Sequence, residues 1–297
     1  MLSILIPVYN TKVTKLVKEL HGQCLKAKIM FEILVFDDLS KNSIKQHNAE
    51  INGILGVNYV ELSSNLGRSK IRNRLAKTAS MEYLLFLDAD SKIISKKFIK
   101  KYIAHLKPNL VINGGRRYSK KAPAAKKKYL HWLYGSKRES QSSKKRNKIP
   151  ARFFHTNNFA GPSKIISQHP FSESIEGYGY EDILFGHVLE QKGIKILHID
   201  NPVIHNDLEP IDKFLDKQDE ALLNLSRITK ENPNVPIKIW EAYKKLDQYG
   251  IAKMTLKLLG EPSKLKEKLI KSPSLLRLKN YRLAKCIEIF IKKESNS

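Results

Sequence analysis

Cysteine and long apolar runs are both scarce in this 297-residue sequence. Only Cys24 and Cys286 are present, so no disulfide framework is expected and a reducing cytoplasm fits. No apolar stretch reaches the ~18 residues that would cross a bilayer, and the opening segment 1–7 lacks the basic leader of a signal peptide. These absences predict a cytoplasmic protein with an ordinary buried core.

Acidic residues are also in short supply. The chain has 54 Lys and Arg against 29 Asp and Glu, a formal net charge of +25. Segment 116–148 carries thirteen of the cations and one Glu, and the tail from residue 250 is basic too. Such an excess favours a polyanionic partner, either nucleic acid or an anionic membrane leaflet. Peripheral attachment to the inner face of the cytoplasmic membrane is one hypothesis, and solvated lysines are the alternative.

Glycine-rich phosphate loops are missing as well. The first predicted strand ends in Pro7-Val8-Tyr9-Asn10, where a dinucleotide-binding oxidoreductase would have a Gly-rich turn. A P-loop is likewise absent. These absences argue against both nucleotide-binding classes.

What the sequence does contain is an alternation of apolar runs and helical stretches. The predicted strands are 3–8, 31–36, 57–62, 83–87 and 194–199, with a helix at 67–79. The alternation predicts a mostly parallel sheet flanked by helices, and such sheets bind ligands beyond the carboxyl ends of their strands. The polar residues Tyr9, Asp38, Asp88 and Asp90 follow these ends. Segment 116–150 is expected to be a mobile or partly helical insertion, and the chain beyond Asp207 is expected to be helical.

Asp88-Ala89-Asp90 is the candidate metal motif. Carboxylates at this spacing supply the hard oxygen ligands that Mg²⁺ or Mn²⁺ prefers, and they leave positions open for phosphate oxygens. The alternative is that these acids only cap the turn after a strand. The nearby Asp37-Asp38 pair strengthens the metal interpretation, because clustered carboxylates repel one another without a cation or donor groups.

The segment Gly177-Tyr178-Gly179-Tyr180-Glu181-Asp182 is the second candidate. Its glycines permit a close backbone approach, its tyrosines offer flat faces for a sugar ring, and its acids begin a predicted helix. The alternative is that the acids merely complement the helix dipole. Segment 65–73 is a candidate anion site, since helix N-terminal amides and Arg both favour phosphate. The alternative is that Arg68 and Arg72 only form a solvated basic helix face.

Taken together, these motifs resemble the family 2 glycosyltransferases of the GT-A fold over roughly residues 1–206. The Gly-Tyr-Gly-Tyr-Glu-Asp form looks like the chondroitin-polymerase and galactosyltransferase-like members. The resemblance implies a GT-A domain at 1–206 with a basic insertion at about 116–150, and a basic helical extension at 207–297. Leu39 is a departure, because the family usually has Gly after the paired aspartates. This slightly blurs the local turn but removes no ligand.

The resemblance also implies roles for individual residues. Asp182 would be the catalytic base, with Glu181 beside it on the acceptor or its loop. The metal, Mn²⁺ or Mg²⁺, would be held by Asp90, Asp88 and His205. The donor-binding residues would be Pro7, Tyr9, Asp38, Asn65, Gly67, Arg72, Asp88 and Ala89. The acceptor-binding residues would be Asn157, Asn158, Tyr178, Gly179 and Tyr180.

The implied reaction is metal-dependent, inverting transfer of a hexosyl or N-acetylhexosaminyl group. The donor would be a nucleotide-sugar, expected to be a UDP-sugar, and the acceptor a glycan or lipid-linked glycan. A nucleotidyltransferase would also use strand-end aspartates and a metal, although it leaves the aromatic-flanked Glu181-Asp182 pair unexplained. A basic nucleic-acid-binding protein is the alternative from another class. The sequence contains no recognised nucleic-acid-binding module, and its strand-end acids would repel a phosphate backbone.

Overall fold

The computed structural model describes residues 1–175, 177–205 and 207–294. Strands predicted from the apolar runs form within a residue or two of the expected bounds. The strands are β1 (Leu2–Val8), β2 (Phe31–Asp37), β3 (Val57–Glu61), β4 (Tyr83–Leu87), β5 (Ser91–Ile93), β6 (Leu110–Asn113), β7 (Arg116–Arg117), β8 (Asn158–Pro162), β9 (Lys195–His198) and β10 (Val203–His205).

Seven of these strands form one central sheet in the order β3-β2-β1-β4-β8-β6-β9. Neighbouring strands within this sheet are parallel, except that β8 pairs antiparallel with both β4 and β6. A smaller sheet has the order β5-β10-β7. The mixed, mostly parallel α/β architecture confirms the predicted fold class.

Helices cover both faces of the central sheet and make up the C-terminal region. Their bounds are α1 (Thr14–Ala27), α2 (Asn42–Ala49), α3 (Arg68–Thr78), α4 (Phe98–Ile103), α5 (Tyr129–Tyr134), α6 (Ser143–Arg146), α7 (Ser163–Gln168), α8 (Glu181–Gln191), α9 (Ile211–Glu231), α10 (Lys238–Gln248), α11 (Ala252–Leu259), α12 (Pro262–Lys271) and α13 (Leu275–Glu294). None of the described helices is long and apolar enough to span a bilayer.

The period of two along the strands produces two cores. In β1, Ile4 and Ile6 enter the core under α1 and α4, whereas Leu5 enters the core under α3 and α8. Because both faces of this strand are buried, its sequence reads as one continuous apolar run rather than an alternation. The sheet is thereby held rigidly from both sides, which fixes the positions of its strand ends.

The basic insertion is folded, and the partly helical alternative describes it. It contains several short helical segments, α5 and α6 among them. The side chain of Arg146 is buried and anchors it, donating hydrogen bonds to the carbonyls of Asn113, Gly114 and Ile199. The lost solvation of one buried cation is thus replaced by carbonyl acceptors from neighbouring strand ends.

The C-terminal helices share a core with the segment that holds the second candidate motif. Leu222 and Leu225 of α9 and Ile287 of α13 form one apolar cluster with Ile175 and with Leu184 of α8. Helical structure beyond residue 207 agrees with the prediction. The cluster ties these helices directly to the segment 177–182.

Candidate active site

The carboxyl ends of β1, β2 and β4 meet at one edge of the central sheet, because these strands are parallel. The loops that follow them line a cavity of about 830 Å³. The predicted metal ligands Asp90 and His205 lie on its wall, as does Tyr178. All eight residues predicted to bind the donor lie there too: Pro7, Tyr9, Asp38, Asn65, Gly67, Arg72, Asp88 and Ala89.

Asp38 is held in place by the loop before α3. Its carboxylate accepts hydrogen bonds from the backbone N–H groups of Leu66 (2.6 Å) and Gly67 (3.0 Å). Burial raises the pKa of Asp38, although these two hydrogen bonds act in the opposite direction. Asp37 is fully buried and accepts a hydrogen bond from the Tyr59 hydroxyl at 2.9 Å. Only the second acid of the pair therefore lines the cavity.

Leu39 adopts the backbone conformation that glycine favours. Its φ is 68°, in the left-handed region, which costs an ordinary L-residue roughly 1–2 kcal/mol. The turn after Asp38 thus keeps the shape that a glycine would take without strain. Leucine in place of the expected glycine therefore strains this turn, but Asp38 still lies on the cavity wall.

Arg72 joins α3 to the metal motif. Its guanidinium donates to Asp88 at 2.7 Å and to the carbonyl oxygen of Arg68 at 3.1 Å. Arg72 is buried whereas Asp88 is partly exposed, so the arginine fixes the carboxylate from behind. Arg68, one helical turn earlier, is more exposed and lies 3.7 Å from Glu181. The two arginines do share one helix side, but they have different partners.

Asp90 and His205 form a pair on the cavity wall. They meet because β10 pairs with β5 and places His205 opposite Ser91, and His205 Nδ1 lies 2.8 Å from Asp90 Oδ2. Burial alone would raise the pKa of Asp90, but the hydrogen bond and charge of His205 outweigh it, so that this pKa is lowered. Burial alone would lower the pKa of His205, but the hydrogen bond and charge of Asp90 outweigh burial, so that this pKa is raised.

The chemistry of this pair fits a divalent cation. Mg²⁺ is usually held by one or two carboxylates together with substrate phosphates, and imidazole is a common ligand of transition metals. Asp88 lies two residues before Asp90 in the chain, and its carboxylate is paired with Arg72 at 2.7 Å. Among the described residues, no set of three or more His, Cys, Asp or Glu side chains forms a ready-made metal cage. A cation here would depend on ligands supplied by the substrate.

The basic insertion builds another part of the cavity wall. Arg116, Tyr118, His131 and Glu139 all line the cavity. Arg116 Nε lies 3.2 Å from Glu139, and the Tyr118 hydroxyl donates to the same carboxylate at 2.5 Å. Although burial opposes it, the charge of Arg116 lowers the pKa of Glu139 to about 2. The wall therefore carries a fixed carboxylate at neutral pH.

Asp182 and Glu181 begin α8 and have different partners. Glu181 accepts a hydrogen bond from the backbone N–H of Gly179 at 3.0 Å. Asp182 lies 3.1 Å from His155 Nδ1, and His155 Nδ1 is also 3.3 Å from an Arg116 nitrogen. Burial would raise the pKa of Asp182, but the hydrogen bond from His155 and the nearby charges outweigh it and lower that pKa. Asp182 is therefore ionised at neutral pH, as a general base must be.

The glycines of the second motif are required by packing against α9. A Cβ added to Gly179, whose φ is 123°, would lie 2.3 Å from the Cβ of Ala221. A Cβ on Gly177, whose φ is 71°, would meet the carboxylate of Glu220. The predicted close backbone approach is thus observed toward a helix of the same chain.

The two motif tyrosines also have partners within the protein. The guanidinium of Arg68 lies 4.9 Å and Lys217 Nζ lies 5.3 Å from the centre of the Tyr178 ring. The Tyr180 hydroxyl accepts a hydrogen bond from Arg282 at 2.8 Å. Tyr178 is on the cavity wall, whereas Tyr180 is directed toward the C-terminal helices.

The two asparagines predicted to bind the acceptor occupy unlike positions. Asn158 is fully buried, and its amide donates to the carbonyls of Gly115 and Asn201 while its oxygen accepts from Tyr102. Every side-chain polar group of Asn158 is therefore used inside the protein. Asn157 is buried as well, but its side-chain oxygen has no hydrogen-bond partner within the described part of the chain.

Several residues of the candidate site were missed by the sequence analysis: Arg116, His131 and Glu139 line the cavity, and His155 contacts Asp182. Arg116 follows β6, which is parallel to β4 because both pair antiparallel with β8. The strand-end rule applied to residues 110–113 would have found it. His155 precedes β8 at the same edge of the sheet. For His131 and Glu139 the sequence carries no such signal, since no strand leads into them.

The model of the family described as Glycosyl transferase family 2 matches residues 3–172, more than half of the chain. That span includes the strand-end acids and Arg72, and it ends before Glu181 and Asp182. A comparison with curated proteins gave no significant match.

Three solved structures share the fold at low sequence identity. The mannosyltransferase PcManGT from Pyrobaculum calidifontis, in complex with GDP-Man and Mn²⁺, is 14% identical with a TM-score of 0.59, covering 96% of this chain and 84% of that one. TarS 1-349 from S. aureus, in complex with UDP-GlcNAc, is 17% identical with a TM-score of 0.51, covering 96% and 90%. Mannosyl-3-phosphoglycerate synthase from Rubrobacter xylanophilus is 14% identical with a TM-score of 0.57, covering 80% and 76%.

Proposed function

The chain belongs to glycosyl transferase family 2 and is a glycosyltransferase, and we propose that it uses a UDP-sugar donor and a divalent cation. The acceptor in this proposal is a hydroxyl of a glycan or lipid-linked glycan, and the transferred group is a hexosyl or N-acetylhexosaminyl residue. The observation that carries the proposal is the Asp90–His205 pair, at 2.8 Å on a cavity built from the carboxyl ends of three parallel strands. Family membership also disfavours the nucleotidyltransferase and nucleic-acid-binding alternatives.

The donor half of the cavity suits a nucleoside diphosphate. Tyr9 offers an exposed aromatic face and Asp38 a fixed carboxylate for the nucleoside. Arg72 and the first turn of α3 place positive charge and N–H groups near the expected diphosphate. Pro7, Asn65, Gly67 and Ala89 shape the same wall.

Asp90 and His205 are the residues that would hold the cation, with Asp88 close by in the chain. Bound there, Mn²⁺ or Mg²⁺ would neutralise negative charge on the diphosphate leaving group. Two of the structural neighbours are named as complexes with nucleotide sugars, and one of these also contains Mn²⁺, which supports this assignment. Arg72 orients the Asp88 carboxylate through its 2.7 Å contact.

Asp182 is the proposed general base. Its low pKa keeps it unprotonated, and His155 holds one of its oxygens in place. Asp182 would take the proton of the acceptor hydroxyl as that oxygen bonds to the anomeric carbon and the bond to the diphosphate breaks. In-line attack from the side opposite the leaving group would invert the anomeric centre. Glu181 supports the loop through Gly179.

The acceptor would lie between the second motif and the insertion. Tyr178 remains a candidate because it lines the cavity, and Asn157 because its side-chain oxygen has no hydrogen-bond partner among the described residues. Gly179 and Tyr180 would act by shaping the loop. The engaged amide of Asn158 leaves that residue a role in supporting β8. The Gly-Tyr-Gly-Tyr-Glu-Asp sequence favours the chondroitin-polymerase and galactosyltransferase-like members within this proposal.

Donor hydrolysis tests the proposal directly. We expect a panel of UDP-, GDP- and ADP-sugars, each assayed with Mn²⁺, Mg²⁺ or a chelator, to show metal-dependent release of UDP from one or two donors. Asp90→Ala should abolish this release, and His205→Ala should raise the Mn²⁺ concentration needed for half-maximal rate. Asp200→Ala, which removes an exposed acid paired with Arg117, is the matched control. Undiminished Mn²⁺-dependent UDP binding by Asp90→Ala, measured by calorimetry, would refute the metal site.

A further inference from the structure

The outward face of α11 has an unusual composition for a solvent-exposed helix. Met254 and Leu258 are 56% and 81% exposed, and they lie one turn apart. Lys253 and Lys257 are exposed beside them at the same spacing. Tyr249, just before the helix, is 74% exposed. We call these five residues the α11 face.

The opposite side of α11 is anchored in the protein. Ala252 is buried, and Leu256, one turn later, packs against the apolar cluster shared by α9, α10 and α13. The helix is therefore fixed in orientation, so that Met254 and Leu258 point outward because of its packing. Their exposure is a property of the folded protein.

We propose that the α11 face docks on an anionic membrane surface. Two large apolar side chains one turn apart can enter the boundary between headgroups and acyl chains, and a tyrosine exposed just before the helix suits the same boundary. Lysines beside them can extend their charged ends to lipid phosphates. Neither lysine forms an ion pair with any residue that the structure describes, so both charges are available.

Charge complementarity selects this occupant over others. The chain from residue 250 onward carries twelve Lys or Arg and four Glu, which excludes a basic partner surface. A nucleic acid would engage the lysines but would gain nothing from burying Met254 and Leu258. A membrane with anionic lipids uses both kinds of side chain at once. The small size of the face implies reversible attachment.

Vesicle co-sedimentation tests the proposal. The full chain should bind vesicles of phosphatidylcholine mixed with phosphatidylglycerol, and binding should weaken as salt is added. Vesicles of phosphatidylcholine alone should bind much less. The double variant Lys253→Glu with Lys257→Glu should lower the partition coefficient about tenfold or more. Met254→Ser with Leu258→Ser should lower it about tenfold as well, at unchanged net charge.

A matched control uses apolar residues that are equally exposed elsewhere. Met30 and Leu55 are 70% and 92% exposed, and the double variant Met30→Ser with Leu55→Ser should bind vesicles as the wild type does. Thermal melting would check that each variant is folded. Equal binding by the Met254/Leu258 variant and the wild type overturns the proposal, because only a non-specific polyanion effect would then remain. Loss of binding in the control overturns it too. Neither result affects the proposed sugar transfer.

Discussion

At the scale of single residues, Asp182 and Glu181 are neighbours whose carboxylates have separate environments. Glu181 bonds to the Gly179 backbone inside its own loop, whereas Asp182 contacts His155. We expect Asp182→Asn to lower kcat by about 10²–10⁴-fold, the usual range for loss of a general base. Donor affinity should stay near the wild-type value. Glu181→Gln should act mainly on acceptor KM.

Steady-state kinetics with the donor identified by the panel would measure both effects. A substitution of His155 by Gln provides a graded comparison, since it keeps a hydrogen-bond donor for Asp182 while removing the ring. We expect it to retain more activity than Asp182→Asn. If Asp182→Asn keeps most of its activity and Glu181→Gln is inactive, the roles of the two acids are reversed.

Individual site residues differed in how far the sequence could predict them. Asp38 and Asp88 were predictable, because each follows an apolar strand and parallel strands end at one edge. Arg116 follows the same rule after β6, but it begins a strongly basic segment in which no single cation stands out. Glu139 was not predictable, since it reaches the cavity only through the fold of the insertion. That fold depends on contacts such as Arg146 with Ile199, which are far apart in the chain.

At the scale of elements, the long strands could be predicted and the short ones could not. Runs such as 83–87 are wholly apolar because both sheet faces are covered, so their signal is strong. The strands β5, β7 and β10 have three residues or fewer, which is too short for any periodic pattern. Yet β10 is the strand that delivers His205 to Asp90. The antiparallel direction of β8 likewise leaves no mark in its own sequence.

The insertion gives the protein a specific sensitivity to acid. His131 of α5 stacks on Phe214 at 5.0 Å, and its Nδ1 accepts a hydrogen bond from the backbone N–H of Glu209. Burial lowers the pKa of His131 to about 4. Because the unfolded chain takes up this proton first, near the ordinary value of about 6.5, stability is lost as the pH falls from 7 to 5.

For His131 alone the expected loss between pH 7 and 5 is about 2 kcal/mol. Urea denaturation of the wild type and of His131→Gln at both pH values would measure it, since glutamine can still accept from Glu209 but does not titrate. The variant should lose about 2 kcal/mol less than the wild type over this interval. His205, whose pKa is raised, acts in the opposite direction and is present in both proteins. An equal loss in both proteins would contradict the prediction.

At the scale of the whole molecule, Arg282 links three distant parts of the chain. From α13 its guanidinium donates to the hydroxyls of Tyr180 (2.8 Å) and Tyr134 (3.2 Å). Tyr180 precedes the two acids of α8, and Tyr134 belongs to the insertion. The C-terminal helices therefore help to hold the segment before the proposed catalytic acids, although none of the predicted catalytic residues lies in these helices.

We expect Arg282→Met to lower the free energy of unfolding by about 2 kcal/mol, the range for a lost hydrogen bond to a charged group. The apolar stem is kept, so packing changes little. The variant should also reduce kcat about tenfold or more through the loop of Tyr180, with UDP affinity near the wild-type value. Arg277→Met, an exposed change in the same helix, should stay within ~0.5 kcal/mol. Wild-type kcat in a folded Arg282→Met protein would show that α13 is only a support.

The two cysteines can report separately on the local opening of two parts of this protein. Both thiols are fully buried, and burial raises the pKa of each to about 12, so neither forms the reactive thiolate in the folded state. Cys24 lies in the core beneath the central sheet, and Cys286 lies in the core of the C-terminal helices. The rate at which a thiol reagent labels each cysteine under native conditions therefore measures how often that part of the protein opens. Peptide mapping of the labelled sites would show whether these two cores open together or separately.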